Sequence, residues 1–113
     1  MINELKQYPK TWGEFVGWMA CEHSLLYSKQ YDSFVKGSSG TFVSNRELES
    51  YLLEWLDSQG VFVITKIAAL DVWFYKLESK DFICLGDVYH SSRTLATEAG
   101  IIQAFKLLEK SAK

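Results

Sequence analysis

The stretch Ser44–Thr65 constrains the fold of this chain more than any other. Its apolar residues recur at i, i+3, i+4, i+7 and i+8, which is typical of a helix with one buried face. These residues are Leu48, Tyr51, Leu52, Trp55 and Leu56. Ser44 and Glu47 have capping-box spacing, and Gly60 stands where a left-handed residue commonly ends a helix. Because the β-branched run Val61–Thr65 follows at once, the sequence predicts a helix that leads directly into a strand.

The composition predicts one folded domain that spans residues 1–113. Of these residues 48% are hydrophobic, only 23% are charged, and one is proline. A chain of this length can bury a core without disulfides or metals. Aromatic residues make up 15% of the chain. Such rings either fill a compact core or stay on the surface as anchors for a partner.

The distribution of charge argues against a nucleic-acid or membrane partner. The net charge is −2, and residues 91–113 carry four basic side chains against two acidic ones. This is no basic face of the kind that binding to a phosphate backbone requires. Residues 1–7 lack an apolar signal core, and no run of 18 apolar residues occurs. We therefore expect a cytoplasmic protein whose two cysteines are reduced thiols.

A second helix is predicted near the N-terminus. Thr11 and Glu14 repeat the capping-box spacing, and apolar residues on one helical face extend the pattern from Trp12 to about Leu26. Residues 27–43 fit neither the helical nor the strand period. They leave three alternatives open: a short strand, a helix extension, or an ordered loop on the core.

The C-terminal half predicts two further strands and a last helix. The strands are 72–77 and 82–85, and the turn between them favours an antiparallel meander with 61–65. Ser91 or Ser92 caps the last helix. Its predicted buried stripe is Leu95, Ala99, Ile102, Phe105 and Leu108, with Thr97, Gln103, Lys106 and Lys110 facing out. The predicted fold class is α+β: an antiparallel three-stranded meander packed by helices, in the order α-α-β-β-β-α.

The residues with catalytic or metal-binding chemistry do not form a recognisable motif. Cys21, His23, Cys84 and His90 are the right number for structural zinc, but their spacing lacks the paired ligands of such sites. A Cys84–His90 nucleophile–base pair would lack a third, orienting group. Four acidic residues lie in or near the predicted turns of the meander, where turn chemistry and solvation explain them: Asp71, Glu78, Asp81 and Asp87. We therefore predict no metal, no cofactor and no enzymatic activity, with a small hydrolase or metal-dependent enzyme as an alternative.

The aromatic strand is the more promising candidate for function. Alternation puts Trp73 and Tyr75 on one face and Phe74 on the other. If helices cover one face of the sheet, the other presents its rings to solvent as a binding patch. If helices cover both faces, the rings are core. The predicted contact residues are Trp73, Tyr75, Tyr31 and Trp18.

From Ser44 to Leu108 the helix–three-strand–helix order is similar to that of a double-stranded-RNA-binding domain. The entry to the last helix resembles that family's Lys-Lys-x-Ala-Lys signature, with Arg93 at a basic position and Ala96 at the alanine. Thr94 and Thr97 replace the other two lysines, which contact phosphates in that family. Nucleic-acid binding through the meander and the last helix therefore stays only an alternative.

The last third of the chain also resembles small α/β proteins of phages and bacterial mobile elements, and the antitoxin-like half of small toxin–antitoxin pairs. The matching residues are Tyr89, Ser91, Ser92, Arg93, Ala96, Ala99, Ala104, Phe105 and Leu108. This resemblance implies a compact accessory protein that engages another protein. The predicted function is a protein-interaction domain of a bacterium or its phage, an inhibitor or antitoxin-like factor that binds a protein partner or associates with itself as a homodimer. No small-molecule substrate is evident.

Overall fold

A computed structural model describes residues 1–36 and 40–111. Four helices and six strands follow one another along this part of the chain. They are α1 (Ile2–Leu5), α2 (Pro9–His23), β1 (Leu25–Ser28), β2 (Ser33–Lys36), β3 (Thr41–Phe42), α3 (Asn45–Ser58), β4 (Val61–Ala69), β5 (Val72–Ser79), β6 (Ile83–Leu85) and α4 (Arg93–Ser111). The strands form two antiparallel sheets: a small sheet, β1-β2-β3, and a large sheet, β4-β5-β6.

The predicted α+β class and the C-terminal meander are confirmed. The capping box at the start of α3 is present, with the Ser44 hydroxyl accepting from the Glu47 amide and the Glu47 carboxylate accepting from the Ser44 amide. Gly60 adopts the left-handed conformation at φ 78°. Strand β4 begins at the next residue and continues to Ala69, four residues beyond the predicted end. A two-residue turn then leads into β5.

The predicted start and end of the first long helix are wrong. Helix α2 begins at Pro9 with Tyr8 as its N-cap, so Thr11 is inside the helix and forms no capping box. The Thr11 hydroxyl and amide instead donate to the Glu109 carboxylate, at 2.9 Å each. The helix ends before Ser24, which is left-handed at φ 54°, and the chain turns into β1.

The small sheet was the least predictable element. It begins at Leu25, inside the predicted helix, and ends at Phe42, with four, four and two residues in its strands. One face packs onto α2 through Leu25 and Phe34. The Gly37–Ser39 part of the predicted loop lies outside the described residues.

Helix α4 covers one face of the large sheet, but with a different stripe from the predicted one. Its buried residues are Ala96, Thr97, Gly100, Ile101, Ala104 and Phe105. Leu95 is 47% exposed. Small residues turn toward β4 and β5 because the backbones come very close there: a Cβ on Gly100 would lie 2.7 Å from Val63 Cγ1. The stripe was mispredicted because it was assigned from large apolar side chains.

The core lies between the two sheets' covered faces and the helices. Trp55, Phe15 and Phe105 meet at ring-centroid distances of 5.4–6.3 Å. Phe34 joins this group from the small sheet, 5.7 Å from Phe15. Side chains from α2, α3, α4 and both sheets therefore share one hydrophobic core.

Candidate functional site

The uncovered side of the large sheet carries a regular array of side chains, which we call the open face. Strand pairing arranges it in three rows. The rows are Phe62, Glu78 and Ile83; then Ile64, Lys76 and Leu85; then Lys66 and Phe74, with Tyr89 beside Phe74. Ile83 is 69% exposed and Leu85 is 62% exposed. The array therefore presents large apolar side chains to solvent around a charged centre.

The charged centre of the open face is an ion pair. The Lys76 ammonium lies 2.6 Å from a Glu78 carboxylate oxygen, and both residues belong to the middle strand. The hydrogen bond from Lys76 lowers the pKa of the Glu78 carboxyl below its ordinary value. A partner that covers this pair must give it further hydrogen bonds, because an ion pair loses its hydration when it is buried.

The segment from β4 to Tyr89 holds most of the exposed apolar side chains. Seven of the eleven large hydrophobic residues that are exposed in the described part of the chain lie in it: Phe62, Ile67, Leu70, Ile83, Leu85, Val88 and Tyr89. Phe62, Ile83, Leu85 and Tyr89 belong to the open face, whereas Ile67 lies on the other side of the sheet and Leu70 lies in the turn between β4 and β5. Single exposed apolar residues are common on any protein, whereas a contiguous group rimmed by polar residues marks an interaction surface.

The small sheet has an outer face with a shorter apolar row. Strand pairing sets Leu26 beside Val35, and Val35 beside Phe42. Tyr31 packs its ring on Phe42 at a centroid distance of 5.4 Å. This row is four residues in extent and has no ion pair at its centre.

The structure separates the four contact residues that the sequence predicted. Tyr75 is only 9% exposed and lies on the face covered by α4. Burial raises the pKa of its phenol. Trp73 is half-buried on the same side, and its backbone pairs with His90. Tyr31 is 60% exposed on the small sheet, and Trp18 is half-buried on α2, stacked on Phe15.

Sequence reasoning missed the residues that form the open face. The signal was the period-2 alternation of β5, which already placed Phe74 opposite Tyr75. The same alternation in β4 sets Phe62 and Ile64 outward, but the run Val61–Ile64 is apolar throughout, so it does not show which residues face solvent. Leu85 and Ile83 required the pairing of β6, which no local pattern gives.

The residues with catalytic or metal-binding chemistry are dispersed. Cys21 is exposed on α2 and Cys84 is half-buried on β6. The His23 ring packs between Trp18 and Tyr51, at centroid distances of 4.8 and 4.7 Å. Within residues 1–36 and 40–111, no three His, Cys, Asp or Glu side chains come together in a way that would hold a metal ion.

Two grooves adjoin each other beside the large sheet. One, of about 620 Å³, lies between the first turns of α3 and α4 and carries both charge signs, through Arg46, Arg93 and Glu98. Burial, reinforced by Glu98, raises the pKa of the Glu49 carboxyl there. The second, of about 410 Å³, continues along β4 between Glu49, Leu53 and Arg93. The Arg93 guanidinium donates to the Thr65 hydroxyl at 3.3 Å, so the arginine is held against the strand.

A third groove, of about 430 Å³, lies on α2. Its lining is mostly apolar, with Trp12, Val16 and Tyr27 between Lys6 and Lys29. Lys6 forms an ion pair with Asp32 at 2.8 Å, and the Tyr27 hydroxyl donates to the same carboxylate.

No protein-family model, no curated protein and no solved structure matches this chain. Among the described residues, none of the helices combines the length and the apolar character that a membrane crossing requires.

Proposed function

We propose that this protein is a non-enzymatic protein-interaction domain and that the open face is its partner-binding surface. The observation that carries the proposal is the three-row array, in which Phe62, Ile64, Ile83 and Leu85 surround the Lys76–Glu78 pair. Protein interfaces combine large apolar anchor side chains with a few polar groups that fix orientation. The expected partner is a protein surface that offers apolar side chains and hydrogen-bonding groups for the ion pair.

A narrower proposal concerns the biological role of this interaction and the cell in which it takes place. The resemblance of Tyr89–Leu108 to small proteins of phages and bacterial mobile elements supports an inhibitor or antitoxin-like accessory factor that acts in the bacterial cytoplasm. The alternative of nucleic-acid binding has less support. On the open face Glu78 neutralises Lys76, and Lys66 is the other cation there.

A site-specific photo-crosslinker tests the proposal. The crosslinking amino acid is placed at Ile83 on the open face, or at Leu26 on the small sheet as a control of equal exposure. Each variant is then irradiated in bacterial cells. We expect a discrete protein adduct from position 83 that disappears when Leu85→Ser is added, and no such adduct from position 26. Equal labelling from both positions, or labelling from neither, would contradict the assignment of the open face.

A further inference from the structure

We infer that the free edge of β4 is a self-association site, at which two copies of the chain pair as antiparallel strands about a two-fold axis at Ile64. The first observation is the length of this edge. In the described part of the chain the two sheets end in four edge strands: β1, β3 and β6 have four, two and three residues, whereas β4 has nine. Proteins commonly protect edges by short strands, prolines, bulges or charges. Strand β4 has no proline, its one charged residue is Lys66, and its register shift lies near the hairpin end, between Ile67 and Ala69.

The second observation is the direction of the backbone groups. In β5 the Trp73 amide donates to the His90 carbonyl at 2.8 Å, and the Gly86 amide donates to the Tyr75 carbonyl at 2.9 Å. The backbone amides and carbonyls of the odd-numbered residues of β5 therefore point toward β6, and those of the even-numbered residues point toward β4. Since Lys76 pairs with Ile64, the even-numbered residues of β4 face β5. The amides and carbonyls of its odd-numbered residues, 61 to 67, face away from the sheet.

These outward groups are available to a further strand. No hydrogen bond from them to another described residue occurs outside the β4–β5 ladder. The groove of about 410 Å³ runs along the middle of the same edge. Leu53 of α3 and Arg93 of α4 form its walls, so an added strand would have helix side chains on one side and solvent on the other.

The third observation is that a second copy of β4 pairs with this edge completely and covers an exposed apolar residue, Ile67. The four outward-facing positions are evenly spaced, so a two-fold axis at Ile64 exchanges them in pairs. A two-fold axis there pairs Val61 with Ile67 of the second copy, and Val63 with Thr65. Each outward residue then meets another outward residue, so every amide and carbonyl of the four has a partner. Moving the axis to Val63 or Thr65 leaves one of the four unpaired.

The side chains are compatible with this pairing. On the open-face side Ile64 meets its own symmetry mate, and Lys66 meets Phe62, so the two copies of Lys66 are not opposed. On the other side Val61 covers Ile67, which is exposed in the single chain. The second copy lies beside the sheet and leaves Ile83 and Leu85 of the open face exposed.

Cysteine crosslinking tests the pairing and its register. In a Cys21→Ser, Cys84→Ser background, Ile64→Cys should form a disulfide-linked dimer under mild oxidation. The two copies of residue 64 form a non-hydrogen-bonded pair with Cα atoms about 4.5 Å apart, within the range of a disulfide. Val63→Cys and Thr65→Cys are the matched controls. In the proposed register neither faces its own copy, so each should crosslink far less.

Light scattering of the unmodified chain should give twice the 13.0 kDa monomer mass. Val63→Pro removes one outward amide hydrogen from an edge position and should return the mass to that of the monomer while circular dichroism keeps its folded spectrum. If Val63→Pro does not fold, Ile64→Lys places two like charges on the axis and should give the same monomer. A monomeric unmodified protein, or crosslinking at 63 or 65 in preference to 64, would overturn the inference. The photo-crosslinking result from position 83 is independent of this outcome.

Discussion

The two sheets of this protein share one architecture but differ in what their outer faces can do. Each has one face packed on the helical core and one face turned to solvent. In the small sheet the outer row is short, and Tyr31 covers part of Phe42. In the large sheet, strands of nine and eight residues extend the apolar face around an ion pair. An exposed apolar face therefore indicates a function through its extent, and the exposure of single side chains does not suffice.

The largest expected effect tests whether the small sheet belongs to the core. Phe34→Ala should lower the free energy of unfolding by about 3–5 kcal/mol, because the ring is buried against Trp12, Phe15 and Tyr27. Phe42→Ala, on the outer face of the same sheet, is the control and should cost far less. Urea unfolding measures both. If the two variants lose a similar free energy of unfolding, the small sheet does not contribute to the core.

A pair of double variants tests the difference between the two outer faces. Ile83→Ser with Leu85→Ser should weaken partner binding by about 100-fold, since truncating an anchor side chain of an interface costs about 1–4 kcal/mol. Leu26→Ser with Phe42→Ser is the matched control on the small sheet and should leave binding unchanged. Titration with the crosslinked partner, once isolated, gives both affinities. A larger loss from the small-sheet variant would reverse the comparison.

A single added methyl group tests how tightly the covered face of the large sheet is closed. Gly100→Ala should cost about 1–3 kcal/mol, because its Cβ would meet Val63 at 2.7 Å and Tyr75 at 3.2 Å. Gly17→Ala on α2 is the control. Nothing lies within 4 Å of its Cβ, so this variant should stabilise the protein by about 0.5–1 kcal/mol through helix propensity. Thermal unfolding distinguishes the opposite signs.

The smallest effect concerns acid stability and contrasts one ion pair from each sheet. The hydrogen bond from Lys36 of the small sheet lowers the pKa of the Glu47 carboxyl on α3. The charged carboxylate therefore contributes stability that is fully present above its ordinary pKa of 4.5 and is lost as pH falls through the lower folded value. Glu47→Gln should flatten the fall of the urea midpoint in this acidic range.

Glu78→Gln is the control for this measurement. The pKa of Glu78 is lowered as well, but its partner Lys76 is two residues away on the same strand. The two charges stay close in the unfolded chain, so the difference between folded and unfolded pKa is smaller and the acid profile should change less. A greater flattening from Glu78→Gln would show that the ion pair of the large sheet is the more stabilising one.

Local signals predicted the elements whose ends are set by neighbouring residues. The Ser44–Glu47 box and Gly60 define the two ends of α3 locally, and both predictions are confirmed. The Thr11 box failed because that hydroxyl bonds to Glu109, 98 residues away. Pro9 is the local difference between the two boxes, because proline is favoured at the first position of a helix and α2 begins there.

The open face was half predictable for a related reason. Alternation along one strand gives the two faces of β5, but it does not say which face the helices cover. Which face is covered depends on Gly100: because this residue has no side chain, α4 can pack closely on the side of the sheet that carries Tyr75. The prediction favoured Trp73 and Tyr75 as contacts because they are the larger rings. The structure buries Tyr75 and exposes Ile83 and Leu85, which only strand pairing connects to the site.

The close approach at Gly100 also fixes where α4 lies along its axis. A slide of the helix by one turn would bring Ala96 or Ala104 to the point where a Cβ has no room. A clash therefore opposes a one-turn slide in either direction. A residue without a side chain thus helps to set the axial position of α4, the helix that also brings Phe105 into the core.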